Sequence, residues 1–244
     1  MPAPLIEVFT SFQGEGPYVG YPQLFIRFAG CNLRCRYCDT PVAADENARI
    51  EATPGRGDFR PVPNPVTIRQ LLPVLTQATG TDLHSWSLTG GEPLLYPAFI
   101  RELVSTVQPA TVRIYLETNG TLSEALTEVI DFIDIIAMDI KVPSTSGLPP
   151  LWTRHRQFLQ VASQKEVFVK VVVTDTTEEE EIEVAASLIA SVAAGTPLIL
   201  QPVSTPAGLK AIDTVHLLRL YRRARAYLGD VRVIPQVHRI QGWR

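Results

Sequence analysis

One α/β domain, open or barrel-like, is the fold the sequence predicts, and three observations predict it. β-rich apolar runs alternate with amphipathic segments along all 244 residues without a visible break. Several of the runs are almost continuously apolar, as parallel strands covered on both faces must be. The chain is 45% apolar and 19% charged, enough to bury a sizeable core and too apolar for global disorder.

Taken in order, strands are expected at Leu24–Phe28, Trp86–Leu88, Val112–Leu116, Ile133–Ile140, Val167–Val173, Leu198–Val203 and Val231–Ile234. The segment Pro41–Pro65 holds five prolines with Gly55 and Gly57, so it is expected to be an irregular excursion and a candidate lid. Thr67-Ile-Arg-Gln70 reads as a capping box ahead of Leu71, Leu72 and Leu75, with Pro73 expected to kink or shorten that helix. Thr176 or Thr177 is expected to cap a later helix, where Glu178–Glu181 form a solvated start at the positive end of its dipole. Leu217, Tyr221, Ala224 and Leu228 share one helical face, which leaves Arg219, Arg222, Arg223 and Arg225 as a solvated one.

Twenty-two basic against 25 acidic side chains give a net charge of −3, which lacks the dense basic footprint of a duplex-DNA binder. No apolar run approaches the roughly 18 residues of a membrane span. The start, Met1-Pro-Ala-Pro-Leu-Ile-Glu7, lacks the basic then apolar pattern of a secretory signal. A soluble, cytoplasmic protein with neither membrane nor nucleic acid as partner is expected.

The three cysteines lie within eight residues, Cys31-Asn-Leu-Arg-Cys35-Arg-Tyr-Cys38, which is no disulfide framework. Three readings compete. A structural zinc site normally closes with four ligands, and no fourth cysteine exists. A dithiol redox pair at Cys35 and Cys38 leaves Cys31 unexplained. A 4Fe–4S cluster held by three thiolates leaves one iron open, which suits catalysis better than simple electron transfer.

The Cys-x3-Cys-x2-Cys spacing with Tyr37 before the last cysteine resembles the radical S-adenosylmethionine (SAM) superfamily. Ser85-Trp-Ser-Leu-Thr-Gly90-Gly91-Glu92-Pro93, some fifty residues later and after a strand, looks like the Gly-Gly-Glu motif of that superfamily. Further segments narrow the likeness: Ser11-Phe-Gln-Gly-Glu15-Gly16, Arg27 at a strand end, Cys38-Asp39-Thr40, Thr118-Asn119-Gly120, Met138-Asp139-Ile140-Lys141, Leu200-Gln201-Pro202-Val203 and Gln236-Val237-His238-Arg239. Together they resemble the 7-carboxy-7-deazaguanine synthase family over nearly the whole chain.

The resemblance implies a single-domain, modified partial (β/α) barrel over residues 1–244 that works as a homodimer. It implies conversion of 6-carboxy-5,6,7,8-tetrahydropterin to 7-carboxy-7-deazaguanine, by hydrogen abstraction at C6 and ring contraction with loss of ammonia. The implied cofactors are a 4Fe–4S cluster on Cys31, Cys35 and Cys38, SAM, and Mg²⁺ at Thr40. Tyr37, Cys38, Asp39, Gly90, Gly91, Glu92, Asp139, Lys141 and Gln201 would form the SAM side, with Glu92 accepting from the α-ammonium. Phe12, Gln13, Gly14, Glu15, Arg27 and Thr89 would meet the pterin: Phe12, Gln13 and Gly14 through backbone groups and an aromatic face, Glu15 through its acceptors, Arg27 through the carboxylate. An external electron donor of flavodoxin or ferredoxin type is implied, and no catalytic side chain is assigned beyond the cofactor chemistry. The alternatives at this stage are another radical SAM enzyme of activase type and a non-catalytic zinc or iron–sulfur module.

Overall fold

The computed structural model describes residues 1–38, 40, 43–79, 81–107, 112–204 and 212–244. Ten strands form one sheet: β1 (Leu5–Phe12), β2 (Pro22–Phe28), β3 (Asn47–Glu51), β4 (Phe59–Pro63), β5 (Ser85–Gly90), β6 (Arg113–Thr118), β7 (Ile135–Asp139), β8 (Glu166–Val173), β9 (Leu198–Pro202) and β10 (Val231–Val233). Their spatial order is β10-β9-β8-β7-β6-β5-β2-β1-β3-β4. From β2 through β5 to β10 every neighbour is parallel, and from β5 onward each is next in sequence, the winding of a (β/α) barrel. Among the described residues the sheet does not close, so the barrel is partial, with β10 and β4 at its two edges.

Helices α1 (Ile68–Thr79), α2 (Pro97–Val107), α3 (Ser123–Val129), α4 (Pro143–Ser146), α5 (Trp152–Ala162), α6 (Glu179–Ala193) and α7 (Thr214–Arg225) follow successive strands, and a short α8 (Val237–Gln241) ends the chain. The period-two alternation of a strand divides the sheet into two environments. Ile26, Leu88, Leu116, Met138, Val171 and Leu200 face the helices and join the main core. Phases one residue away put Tyr115, Ile135, Ala137, Phe168 and Ile199 into a smaller cluster on the other face. Among the described residues no helix is long and apolar enough to cross a membrane.

All seven expected strands form, with ends displaced by a residue or two. Ile133 falls outside its strand because the chain makes a 3₁₀ turn at Ile130–Phe132. Three strands were not expected. β1 pairs antiparallel with β2, and the excursion after the cysteines contains an antiparallel pair, β3 with β4, joined to β1 through Glu7↔Arg49 and Val8↔Ile50. Two stretches of the excursion, Asn47–Glu51 and Phe59–Pro63, are therefore sheet rather than irregular. Pro61 and Pro63 are tolerated because β4 is an edge strand with one partner.

Pro73 does not end α1, which continues to Thr79. Only the return half of the expected capping box is made, Gln70 Oε1 accepting from the Thr67 amide at 2.8 Å. The expected cap of α6 is also corrected. Glu178 occupies the N-cap, and the Thr177 hydroxyl instead accepts from the Thr174 amide at 2.8 Å. The acidic start of α6 is tied down: Glu179 pairs with Arg219 and Arg223 of α7, and Glu181 accepts from the Ser144 amide.

Candidate active site

The inner phase of each parallel strand turns polar at its C-terminal end. Arg27 on β2 lies beside Thr89 on β5, Asp139 on β7 beside Lys170 on β8, and Val172 beside Gln201 on β9. Glu117 on β6 shares this phase, and its Oε2 accepts from the Thr89 hydroxyl at 2.7 Å. These side chains and the cysteine loop line one cavity at the carboxyl ends of the strands, where (β/α) folds place their ligands.

The cysteine loop leaves β2 through Gly30, whose φ of +84° only glycine adopts readily. All three cysteines are free, and burial pushes the Cys31 and Cys35 thiols above their ordinary range. The Leu33 amide donates to Cys31 Sγ at 3.4 Å, and the Asn119 side chain does so at 3.8 Å. Among the described residues no three His, Cys, Asp or Glu side chains are drawn together around a single ion.

Gly90 and Gly91 carry β5 against this loop. A Cβ on Gly91 would lie 1.8 Å from the Gly30 carbonyl oxygen, and one on Gly90 would lie 2.4 Å from that of Phe28. The missing side chains thus let two backbones touch, and the Glu92 amide donates to Gly30 O at 2.8 Å. Glu92 itself is fully buried. Its carboxylate accepts from the Asn119 amide at 2.8 Å, the Leu94 amide at 3.1 Å and the Thr118 hydroxyl at 2.9 Å. Burial outweighs those bonds and lifts it to about 7.

Two buried ammonium groups order the acidic wall. Lys170 bridges Glu15 to Asp139, meeting Glu15 directly and Asp139 Oδ2 at 3.9 Å. Burial opposes charge on Glu15, but Lys170 and the Gln236 amide, which donates at 2.8 Å, hold it down at about 2. Lys141 donates to Asp139 Oδ2 at 3.0 Å and lies 5.3 Å from the centre of the Tyr37 ring. Burial disfavours both ammonium groups, yet their acidic neighbours keep them well above the usual lysine range. Asp139 Oδ1 and Gln201 Oε1 are buried with no hydrogen-bond partner among the described residues. At the opposite end Arg27 pairs with Glu7 at 3.1 Å, Arg244 pairs with the same carboxylate at 2.8 Å, and Arg244 stacks 4.3 Å from the Phe59 ring centre.

Residues 25–188 match the radical SAM superfamily. The 7-carboxy-7-deazaguanine synthase of Geobacter sulfurreducens is 47% identical over 98% of this chain and 97% of its own length. This chain belongs to the 7-carboxy-7-deazaguanine synthase family. The Methanothermobacter thermautotrophicus member is 36% identical over 100% of this chain and 99% of its own. Among solved structures, QueE from Escherichia coli covers 98% of this chain and 95% of its own, with a TM-score of 0.59 at 21% identity. A radical SAM methyltransferase from Sphaerobacter thermophilus has the same TM-score at 16% identity, over 88% of this chain and 66% of its own. These two likenesses support the partial-barrel fold.

Membership in this radical SAM family implies a 4Fe–4S cluster and SAM, and the donor set fits them. Three free thiols line one cavity, and Asp139 Oδ1 and Gln201 Oε1 are unsatisfied acceptors in its wall. The cavity also gathers Phe12, Gln13, Gly14, Glu15, Arg27, Tyr37, Thr40, Thr89, Gly90, Gly91 and Lys141. Asp39 lies outside the described residues.

The surroundings of three expected site residues in this deazaguanine-synthase-family chain are specific. The Glu92 carboxylate is not among the residues lining the cavity and accepts from the Thr118 hydroxyl and the Asn119 amide at the end of β6. Both backbone groups of Gln13 are engaged: its amide donates to Tyr21 O at 2.9 Å, and its carbonyl accepts from the Gly20 amide at 2.8 Å. Its side chain instead spans Gln23 and Glu117. Gly14 makes room for His238, whose ring would lie 2.4 Å from a Cβ there. Sequence reasoning missed Glu117, Lys170, Asn119, Gln236, His238 and Arg244 as cavity residues. A lysine inside the apolar run Val167–Val173 was the available signal for Lys170.

Proposed function

We propose that this chain converts 6-carboxy-5,6,7,8-tetrahydropterin to 7-carboxy-7-deazaguanine with release of ammonia, using a 4Fe–4S cluster, SAM and Mg²⁺. One observation carries the reading: the cysteine loop shares a single cavity with a strand-end ladder holding Arg27, Thr89, Glu117, Asp139 and Lys170. When bound, the cluster and SAM supply one-electron, hydrogen-abstracting chemistry at C6 of the substrate. Cys31, Cys35 and Cys38 hold the cluster. The unsatisfied acceptors Asp139 Oδ1 and Gln201 Oε1 take donors of SAM, and the Lys141 ammonium fixes Asp139 beside Tyr37.

Arg27 meets the substrate carboxylate as a planar cationic fork, kept in place by Glu7. Glu15, ionised at every physiological pH because of Lys170, accepts from the amino-pyrimidinone edge. Thr40 adds an oxygen ligand to an Mg²⁺ that otherwise takes waters and the substrate carboxylate. The protein works by position, charge and exclusion of water rather than by a nucleophile. A flavodoxin- or ferredoxin-type protein delivers the electron, and two copies pair as in the resembling family.

Anaerobic turnover of reconstituted protein with SAM, a reductant, Mg²⁺ and the pterin, read by mass spectrometry, tests the reading. 7-Carboxy-7-deazaguanine is the expected product. Formation of 5′-deoxyadenosine without it would discard the substrate assignment, and neither signal from protein with an intact cluster would discard the reaction.

A further inference from the structure

His155 stands on α5, in the outer helical layer, yet it is fully buried and belongs to no catalytic role described above. Its Nδ1 lies 3.0 Å from the Gly120 carbonyl oxygen, just past β6. Its Nε2 lies 3.1 Å from the Lys141 amide, just past β7. A carbonyl can only accept and an amide N–H can only donate, so Nδ1 carries the proton and Nε2 is bare. The ring is therefore neutral, and both nitrogens are committed. Burial agrees with this, holding its pKa down at about 4.

The two partners are groups the sheet cannot satisfy. The last ladder contact of β7 is the Ile140 amide on Lys170 O at 2.9 Å, so the next amide, that of buried Lys141, needs an acceptor from elsewhere. Gly120 turns away at φ +66° and leaves its carbonyl without a strand. An apolar side chain at 155 would leave both unpaired in the interior. The imidazole thus ties together two loops that face the cavity. One carries Asn119, the donor to Cys31 Sγ; the other carries Lys141, which holds Asp139.

We propose that His155 is a positioning residue for SAM binding, acting through the Lys141 amide to set the Lys141–Asp139 pair against the cavity. The inference rests on the functional reading above only for the assignment of that pair to SAM.

Three variants separate the bonds. His155→Asn keeps a donor near Nδ1 and loses the acceptor for Lys141. His155→Gln keeps an acceptor near Nε2. His155→Leu loses both. Hydrogen exchange at the Lys141 amide, followed in protein without cofactors, should quicken at least tenfold in the Asn and Leu variants and stay near wild type in the Gln variant. In reconstituted enzyme the KM for SAM, measured from 5′-deoxyadenosine release, should rise about tenfold in the Asn variant and recover in the Gln variant. That factor is the loss of one buried hydrogen bond. The KM for the pterin should not follow it.

Wild-type exchange and SAM KM in the Asn variant would overturn the proposal. So would loss of SAM affinity in all three variants merely in step with their melting temperatures. Wild-type protein that cleaves SAM but leaves the pterin unchanged would sink the functional reading alone, because both readouts for His155 survive it.

Discussion

Gly91→Ala should be among the most damaging single-methyl additions in this protein, and its cost follows from the backbone contact it intrudes upon. The added Cβ would sit 1.8 Å from Gly30 O and 2.6 Å from Gly30 C. An ordinary carbon–oxygen approach is about 3.3 Å, so β5 and the cysteine loop must part by about 1.5 Å. Parting them breaks the bonds Gly91 N–H to Phe28 O at 3.0 Å and Glu92 N–H to Gly30 O at 2.8 Å. Two net hydrogen bonds at about 1 kcal/mol each and an overpacking cost of about 1–3 kcal/mol give a loss of about 3–5 kcal/mol. Gly91 is not among the residues with left-handed backbone, so no conformational penalty of alanine confuses the result. Urea unfolding at pH 7 measures it, with Gly195→Ala as control because no atom of the described residues lies within 4 Å of a Cβ there. The control should stay within about 0.5 kcal/mol of wild type. A Gly91→Ala protein within about 1 kcal/mol of wild type would refute the claim that this contact is rigid.

Lys170→Met strips Glu15 of its counter-ion inside the protein; it should cost about 3–5 kcal/mol in urea unfolding, partly recovered by adding Glu15→Gln. Glu92 is lifted from 4.5 to about 7 in the folded state, so the stability it confers is full below pH 4.5 and lost as pH rises through 7. The stability difference between wild type and Glu92→Gln should therefore fall by about 3 kcal/mol from pH 4.5 to pH 8, with His155 cancelling in the subtraction. Thr40→Ala should weaken the Mg²⁺ response of turnover severalfold while SAM cleavage persists; an unchanged Mg²⁺ titration would remove Thr40 from the metal site.

The central architecture was legible because buried parallel strands write near-continuous apolar runs, as at Val167–Val173 and Leu198–Val203. β3 and β4 were hidden because Pro61 and Pro63 read as breakers, and only their edge position makes them compatible with pairing. The cysteines and Gly-Gly-Glu could be read from local spacing, whereas Arg27 was singled out by the family resemblance. Glu117 and Lys170 share a phase with their strands' inner residues, Tyr115 and Phe168, so a period-two reading carried to the strand ends would have found them. Gln236 and His238 lie in a segment that carries the family resemblance, but neither they nor Arg244 could be placed in the cavity from the sequence. Nothing local announces that the last segment folds back so that the Val237 amide meets Gly14 O at 2.9 Å. Glu92 shows the complementary limit: spacing located it, but only the tertiary structure reveals that it also accepts from the Thr118 hydroxyl and the Asn119 amide at the end of β6.

The position of Lys170 has a consequence for how the two halves of the cavity behave. Its single ammonium serves Glu15 on one side and Asp139 on the other. A charge held in common cannot be drawn toward one carboxylate without being withdrawn from the other. A ligand that engages Asp139 therefore alters the field at Glu15, and one that engages Glu15 alters it at Asp139 by an equal free energy. Occupancy at either end is thus reported at the other through one side chain, with no movement of the strands that carry them.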